Sequence, residues 1–233
     1  MKLKQRILLA LLTLFAFTGA RAQENDRIDV DLNLIKVNVT MNPEHYRELM
    51  DRYMHADTTL RLDEMATVYY GYAATVDYDP DLTCPESEDA IDVEDYARAY
   101  ELSVEKAAEA PVSLPVLINV IKLMPQIDLK GNLDSYLNIR QRLEMLIGTI
   151  LASGTGIRRE LPFKVISEGD MMVILKDILN VGEIIDRSKI GQLDAVKITG
   201  LLNEIRQIDD FIEHGHALFA GGMASNGIAD VRG

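Results

Sequence analysis

The hydrophobic pattern of the chain changes period several times, and those changes mark its elements. Within the stretch from Met41 to Pro80, Tyr46, Leu49, Met50, Tyr53 and Met54 recur at steps of three and four, with Arg47, Glu48, Asp51 and Arg52 opposite them. That spacing predicts an amphipathic helix whose apolar face needs a partner. Asn42 and Pro43 mark its start, because asparagine caps and proline lacks only an N–H that would be unbonded in a first turn. Asp57, Thr58 and Thr59 break the pattern. A second helix follows, with Asp63 and Glu64 near its positive end and Met65, Val68, Tyr69 and Tyr72 on its apolar side. Gly71 is expected to terminate it in a left-handed conformation. Further along, Val93, Tyr96, Ala97, Tyr100, Val104 and Ala107 predict a helix that ends near Pro111. Leu114, Leu117, Val120, Ile121 and Met124 predict the next, stopped by Pro125, and Leu133, Tyr136, Leu137, Leu143, Ile147, Ile150 and Leu151 a longer one ending at Gly154. Short connections make such neighbours pack side by side as antiparallel hairpins.

Outside these helices the pattern weakens. Ile28, Val30, Leu32 and Leu34 alternate, then the register shifts to Ile35, Val37 and Val39, which reads as either a short strand or an extended arm over the helices. Asp77 to Asp92, with several acids and two prolines, reads as a loop. Beyond Gly156, Pro162 followed by Phe163, Val165 and Ile166 predicts a strand, and Glu168-Gly169-Asp170 opens a short helix through Ile178. Leu193, Ala195, Val196 and Ile198 suit a second strand, and Phe211 to Phe219 a third strand or a last helix. The expected architecture is α+β and mainly α, with helical hairpins and a small C-terminal sheet. The chain divides into a leader over 1–22, an extended arm over 23–40, a helical domain over 41–156, a small α+β part over 157–219 and a disordered tail over 220–233.

The strings ADTTL, LDEM, YYGYA and DYDP between Ala56 and Pro80 resemble those of a family of secreted Bacteroidetes proteins known only as a domain of unknown function. SGTG at Ser153 to Gly156 and FKVIS at Phe163 to Ser167 are similar to later landmarks of the same family. The resemblance covers roughly residues 35 to 180 and implies kinship without implying an activity. The C-terminal part departs from the family pattern, which closes with clearer strands. Separately, Pro111, Leu117, Val120, Ile121, Met124, Leu133 and Leu137 fall at spacings similar to a tetratricopeptide repeat, although Ile121 sits where that repeat prefers glycine and no tryptophan occurs.

The first residues change the picture of where the chain works. Lys2, Lys4 and Arg6 precede an apolar run from Ile7 to Phe17, and Ala20-Arg21-Ala22 supplies small residues at the positions a signal peptidase reads. Cleavage after Ala22 is expected, leaving Gln23 as the first residue of a periplasmic or secreted protein. The run is too short for a membrane span, which needs about 20 residues. It has no cysteine behind it to make a lipoprotein. The leader holds four of the 24 basic residues and none of the 37 acidic ones, so the mature chain carries a charge of about −17. Such a balance repels nucleic acid and anionic lipid surfaces. Cys84 is the single cysteine, which excludes an internal disulfide and a cysteine-based zinc site.

Three constellations carry candidate chemistry. Asp77, Asp79 and Asp81, with Glu88 at the twelfth place, have the ligand spacing of a calcium loop, whose hard oxygen donors surround a hard cation. Leu82 stands where that loop requires glycine, so a solvated acidic loop is the stronger reading. His214 and His216 would share a strand face near Asp209, Asp210 and Glu213 and could bind a transition metal, yet two histidines fall short of a tetrahedral set. Tyr69, Tyr70, Tyr72 and Tyr78 could build an aromatic platform for a sugar or peptide, although the helical spacing of Tyr69 and Tyr72 favours a core role. No nucleophile elbow or phosphate-binding glycine loop occurs, and Cys84 sits among acids that suppress its thiolate. No catalytic residue and no cofactor are therefore assigned. The expected function is a binding or scaffold protein whose hairpins take a peptide or protein partner. The alternative is a glycan or peptide hydrolase working through acids that sequence cannot single out.

Overall fold

The computed structural model describes residues 27–127, 131–156, 160–190, 193–199 and 207–214. The expected leader and the expected tail lie outside them. The described chain is mainly helical with a small sheet, as the pattern predicts. Helices α1 (Leu32–Met41), α2 (Pro43–Met54), α3 (Leu62–Tyr72), α4 (Pro85–Asp92), α5 (Tyr96–Glu109), α6 (Leu114–Leu123) and α7 (Leu133–Ala152) come first. Strand β1 (Phe163–Val165), helix α8 (Glu168–Val173) with a π turn over Ile174–Ile178, and strands β2 (Ile184–Ile190), β3 (Leu193–Thr199) and β4 (Gln207–His214) follow. Among the described residues no helix is long and apolar enough to cross a membrane.

Helix α6 is the axis of the core. Its sequence, LPVLINVIKL, is apolar on nearly every side, and Leu114, Leu117 and Val120 have no exposed surface. A helix of that kind is stable only when surrounded. It packs against α5, α7 and α8, while α3 packs on α1, α2 and α7. The buried faces of α2, α5 and α7 carry Leu49 and Tyr53, then Ala99 and Tyr100, then Leu143, Leu146 and Ile150. Those of α2 and α7 follow the three-and-four spacing of the sequence, whereas on α5 Ala99 lies inward beside Tyr100 and the expected Ala97 is exposed. Val93 instead lies outside α5 and is exposed, and Leu133 and Leu137 are 48% exposed on α7. The sheet runs in the order β1-β4-β3-β2. Strand β4 pairs parallel to β1, with Phe163 opposite Ile212, and antiparallel to β3, with Ala195 opposite Phe211.

Two segments differ from expectation. The extended arm is extended only to Val30, whose carbonyl accepts a hydrogen bond from Lys164 Nζ at 2.8 Å. From Leu32 the chain is helical because the Asp31 carboxylate accepts from Leu34 N–H at 3.0 Å, capping α1, and because Leu32, Ile35 and Val39 then point inward at helical spacing. The acidic loop also ends early. Pro85 begins α4, Glu86 and Glu88 lie in its positive first turn, and it buries Ser87 and Ala90 in place of large apolar groups. Ser87 Oγ lies 2.8 Å from Ser103 Oγ, and Asn119 Nδ2 donates to Ser103 Oγ at 2.9 Å. A helix seated through hydroxyls gives no hydrophobic stripe to read.

Gly71 is likewise not a left-handed terminator. Helix α3 continues through Tyr72, and Ala73 after it is right-handed with φ −63°. A Cβ at Gly71 would lie 2.7 Å from Val39 Cγ2 and 3.0 Å from Tyr46 Cε2, so glycine lets α1 and α2 close onto α3. Gly71→Ala gains about 1 kcal/mol of helix propensity and loses about 1–3 kcal/mol to overpacking. The expected result is a thermal midpoint lowered by a few degrees and partly restored by Val39→Ala in the same chain. Equal losses with and without the Val39 change would refute the contact.

Candidate functional site

Three connections meet beside the N-terminus of α6: the loop after α3, the α5–α6 turn and the β1–α8 turn. Between them lies a cavity of about 410 Å³ whose walls include Tyr72, Tyr78, Pro80, Val112, Pro115 and Ile166. A second compartment of about 360 Å³ adjoins it, and both touch Leu82, Pro115 and Gly169. Together they form one groove with a saddle at those three residues. A Cβ at Gly169 would lie 2.8 Å from Pro115 Cγ, so glycine lets α8 close onto the start of α6 beneath the saddle.

The floor of the larger compartment is organised by Asp170, which is 1% exposed. One carboxylate oxygen accepts from Leu114 N–H at 2.9 Å and the other from the Tyr69 hydroxyl at 2.9 Å. Ser113, the residue before α6, makes no capping hydrogen bond of its own, and Asp170 supplies that cap from another element. The Tyr69 hydroxyl in turn accepts from Ile166 N–H at 3.2 Å, and Ser167 Oγ accepts from Asp170 N–H at 3.0 Å. Burial pushes the Asp170 carboxyl up to about 6, against the downward pull of Leu114 N–H, Tyr69 and Ser167. The same burial, with Asp170 next to it, drives the Tyr69 hydroxyl well above its usual range. The Ser-x-x-Asp string at Ser167 to Asp170 is a sequence signal for a helix start. It does not say that the carboxylate turns toward α6 and α3.

The α5–α6 turn that walls the groove is pinned by a second buried polar centre. Arg142 of α7, 3% exposed, donates through Nη2 to Pro111 O at 2.8 Å and Ala107 O at 3.2 Å. Its guanidinium carbon lies 5.1 Å from the centre of the Tyr53 ring, and Tyr53 donates to the same Pro111 carbonyl at 2.8 Å. Burial pushes the Tyr53 hydroxyl up to about 12, with Arg142 pulling the other way. Tyr53 is marked by the sequence only as part of an apolar face and Arg142 not at all, since Arg142 lies within a periodic helix and its carbonyl partners belong to the backbone.

The tyrosines anticipated as a platform divide. Tyr69 and Tyr70 are core residues, their rings meeting edge-on at 4.8 Å, and Tyr70 donates to Lys164 O at 3.0 Å. Tyr72 and Tyr78 line the cavity, edge to face at 6.0 Å. Tyr72 shares its hydroxyl hydrogen between Asp77 O at 3.1 Å and Glu109 O at 3.3 Å, and Tyr78 donates to Ile166 O. The calcium-loop spacing is not realised. Asp77 and Asp79 line the larger compartment, Asp79 Oδ1 accepts from Asp81 N–H at 3.0 Å, and Glu88 is carried by α4 into the second compartment. Among the described residues no three His, Cys, Asp or Glu side chains gather to hold a metal ion. His214 ends β4 opposite Val165, but its side chain and all of His216 lie outside the described residues. Cys84 is a free thiol that precedes α4 and lines the second compartment.

Among the described residues, the walls of the larger compartment carry Asp77, Asp79, Glu109 and Asp170 and no lysine, arginine or histidine. Its chemistry is therefore that of an anionic, aromatic-walled recess. Residues 33–200 match the family model of a domain of unknown function, DUF4919. No match is found among curated proteins or among solved structures.

Proposed function

The chain belongs to the DUF4919 family, a domain of unknown function, and on the geometry of its groove we propose that it is a periplasmic or secreted binding protein that takes a peptide or protein partner. The observation that carries this reading is the state of Asp170. It is the one acid of the groove that is both buried and raised in pKa, and so resembles a catalytic acid. Yet both of its oxygens are occupied by framework donors from α6 and α3. A general acid has to reach the scissile bond, and this one faces the protein. The rim acids Asp77, Asp79 and Glu109 are exposed, and none has the desolvated surroundings a hydrolase uses to set its acid apart from its base. What remains is a two-compartment groove with apolar and aromatic walls and a polar rim, the usual make-up of a recognition surface.

Panning a displayed random-peptide library on the protein tests this reading. Enriched peptides are expected to bind the parent and to lose binding to Leu82→Trp, which fills the saddle from a half-buried position. Peptides that bind both proteins equally, or that are cleaved during the assay, would refute it.

A further inference from the structure

We propose that the groove selects an extended peptide carrying a lysine or arginine side chain, which it receives in the larger compartment. This inference deepens the binding reading and rests on it. Charge complementarity is its first support. Three exposed carboxylates, Asp77, Asp79 and Glu109, line that compartment with the buried Asp170 beneath them, and among the described residues no cationic side chain lines it. Glu109 is paired with Lys106 at 3.0 Å, but neither Asp77 nor Asp79 makes an ion pair among the described residues. A cationic head at the rim would therefore meet two carboxylates with no competing cation among the described residues, Asp79 holding only the Asp81 N–H. The Asp170 carboxylate behind the wall adds to the negative potential while staying committed to Leu114 and Tyr69.

The second support is the shape of the wall. Tyr72 and Tyr78 stand edge to face at the recess, and burial and nearby carboxylates keep both hydroxyls protonated. Both neutral phenols line the recess with their hydroxyls turned to backbone carbonyls, and an aromatic lining suits the methylene stem and the charge of a basic side chain. The third is continuity. A free amine would need one compartment, but the recess opens across Leu82, Pro115 and Gly169 into a second one walled by Val116, Met172 and Val173. Side chains of an extended chain alternate in direction and advance about 3.3 Å per residue, so successive same-side residues fall into successive compartments. The second compartment carries Glu88, Asp177, Lys122 and Lys176, two charges of each sign with Lys122 and Asp177 paired at 2.7 Å, so it has no net charge to favour a charged residue over an apolar one.

Four randomised hexapeptide pools, each with one fixed residue (Lys, Arg, Gln or Glu) and a fluorescent label, are titrated into the full mature protein by anisotropy. The Lys and Arg pools should bind about tenfold tighter than the Gln pool, and the Glu pool weakest. The double variant Asp77→Asn, Asp79→Asn should bring the Lys pool to the affinity of the Gln pool at an unchanged thermal midpoint. Rising salt should erase the preference while leaving Gln-pool binding in place. If all pools bind equally and Leu82→Trp abolishes that binding, the basic-residue inference falls and the binding reading stands. If no pool binds, both fall. A Lys preference that survives the double variant would also overturn the inference, because the selecting charge would then lie elsewhere.

Discussion

Asp170→Ala should cost the fold about 3 kcal/mol at pH 5 and about 1 kcal/mol less at pH 7. The loss comes from two buried donors, Leu114 N–H and the Tyr69 hydroxyl, left without an acceptor in a place water does not reach. Each such orphan costs about 1–3 kcal/mol. The pH dependence comes from the carboxyl itself. Its folded value of about 6 lies above the ordinary 3.8, so the native state holds this proton more tightly than the unfolded chain does. A raised value contributes stability that is complete below about 4 and is lost as pH rises through 6. The ionised carboxylate is thus the costly form, and alanine removes that cost only where the parent is ionised. Asp170→Asn separates the two effects. It keeps an acceptor for Leu114 N–H and cannot titrate, so its stability should lack the Asp170 part of the pH response and exceed that of the alanine variant. Urea unfolding of the three proteins at pH 5 and pH 7 provides the check. Identical losses for alanine at both pH values would mean that the carboxyl does not titrate between them. Asp57 works in the opposite sense. Thr59 and Arg52 hold it down to about 2, so its contribution is lost only in strong acid and does not disturb this window.

The helices α2, α3, α6 and α7 are legible in the sequence because each buries large apolar groups at steps of three and four, and α5 is legible through Tyr96, Tyr100, Val104 and Ala107 at the same steps although it buries mostly small residues. Helix α1 is not, because the alternation of Ile28, Val30, Leu32 and Leu34 runs across its start while Leu32, Ile35 and Val39 fit a helix equally well. What decides between them is the Asp31 cap and the gap at Gly71 into which Val39 fits, and the gap exists only once α3 is in place. Helix α4 hides because its buried face is Ser87 and Ala90, and β2 because its seven residues, IIDRSKI, are half charged or polar and mostly exposed. The groove was partly visible. Tyr72, Tyr78, Asp77 and Asp79 can be picked out by residue type, although no three acids gather among the described residues to match the calcium spacing. Asp170 and Arg142 cannot, since what distinguishes them from the other acids and bases is the company they keep across 31 to 101 residues of chain. Local strings report local structure. A carboxylate that caps another helix is invisible until that helix is beside it.

The SGTG string has a physical meaning of the same tertiary kind, and it yields the largest effect expected from a single methyl group. At the end of α7, Ser153 Oγ donates to Ile150 O at 2.6 Å and accepts from Lys164 N–H at 2.9 Å, tying the helix to β1. Thr155 and Gly156 both donate from their backbone N–H groups to Leu161 O, at 2.9 and 3.1 Å, and Gly156 adopts φ +67° to do so. Between these anchors a Cβ on Gly154 would lie 2.0 Å from Pro162 O and 2.5 Å from Pro162 C. The obstacle is backbone, so no rotamer change relieves it, and the strand has to move. That strand also receives Tyr70 at Lys164 O and leads through Ile166 to the floor of the groove. Gly154→Ala should therefore cost about 3 kcal/mol or more, lowering the thermal midpoint by roughly 6–12 °C for a chain of this size. Gly148, six residues earlier on the exposed side of α7, has nothing within 4 Å of the same added atom. Gly148→Ala should raise the midpoint, since it gains about 1 kcal/mol of helix propensity without a clash. Thermal melts of the two variants are expected to move in opposite directions from the parent. A Gly154→Ala protein that melts at or above the parent would show that α7 and β1 do not approach this closely.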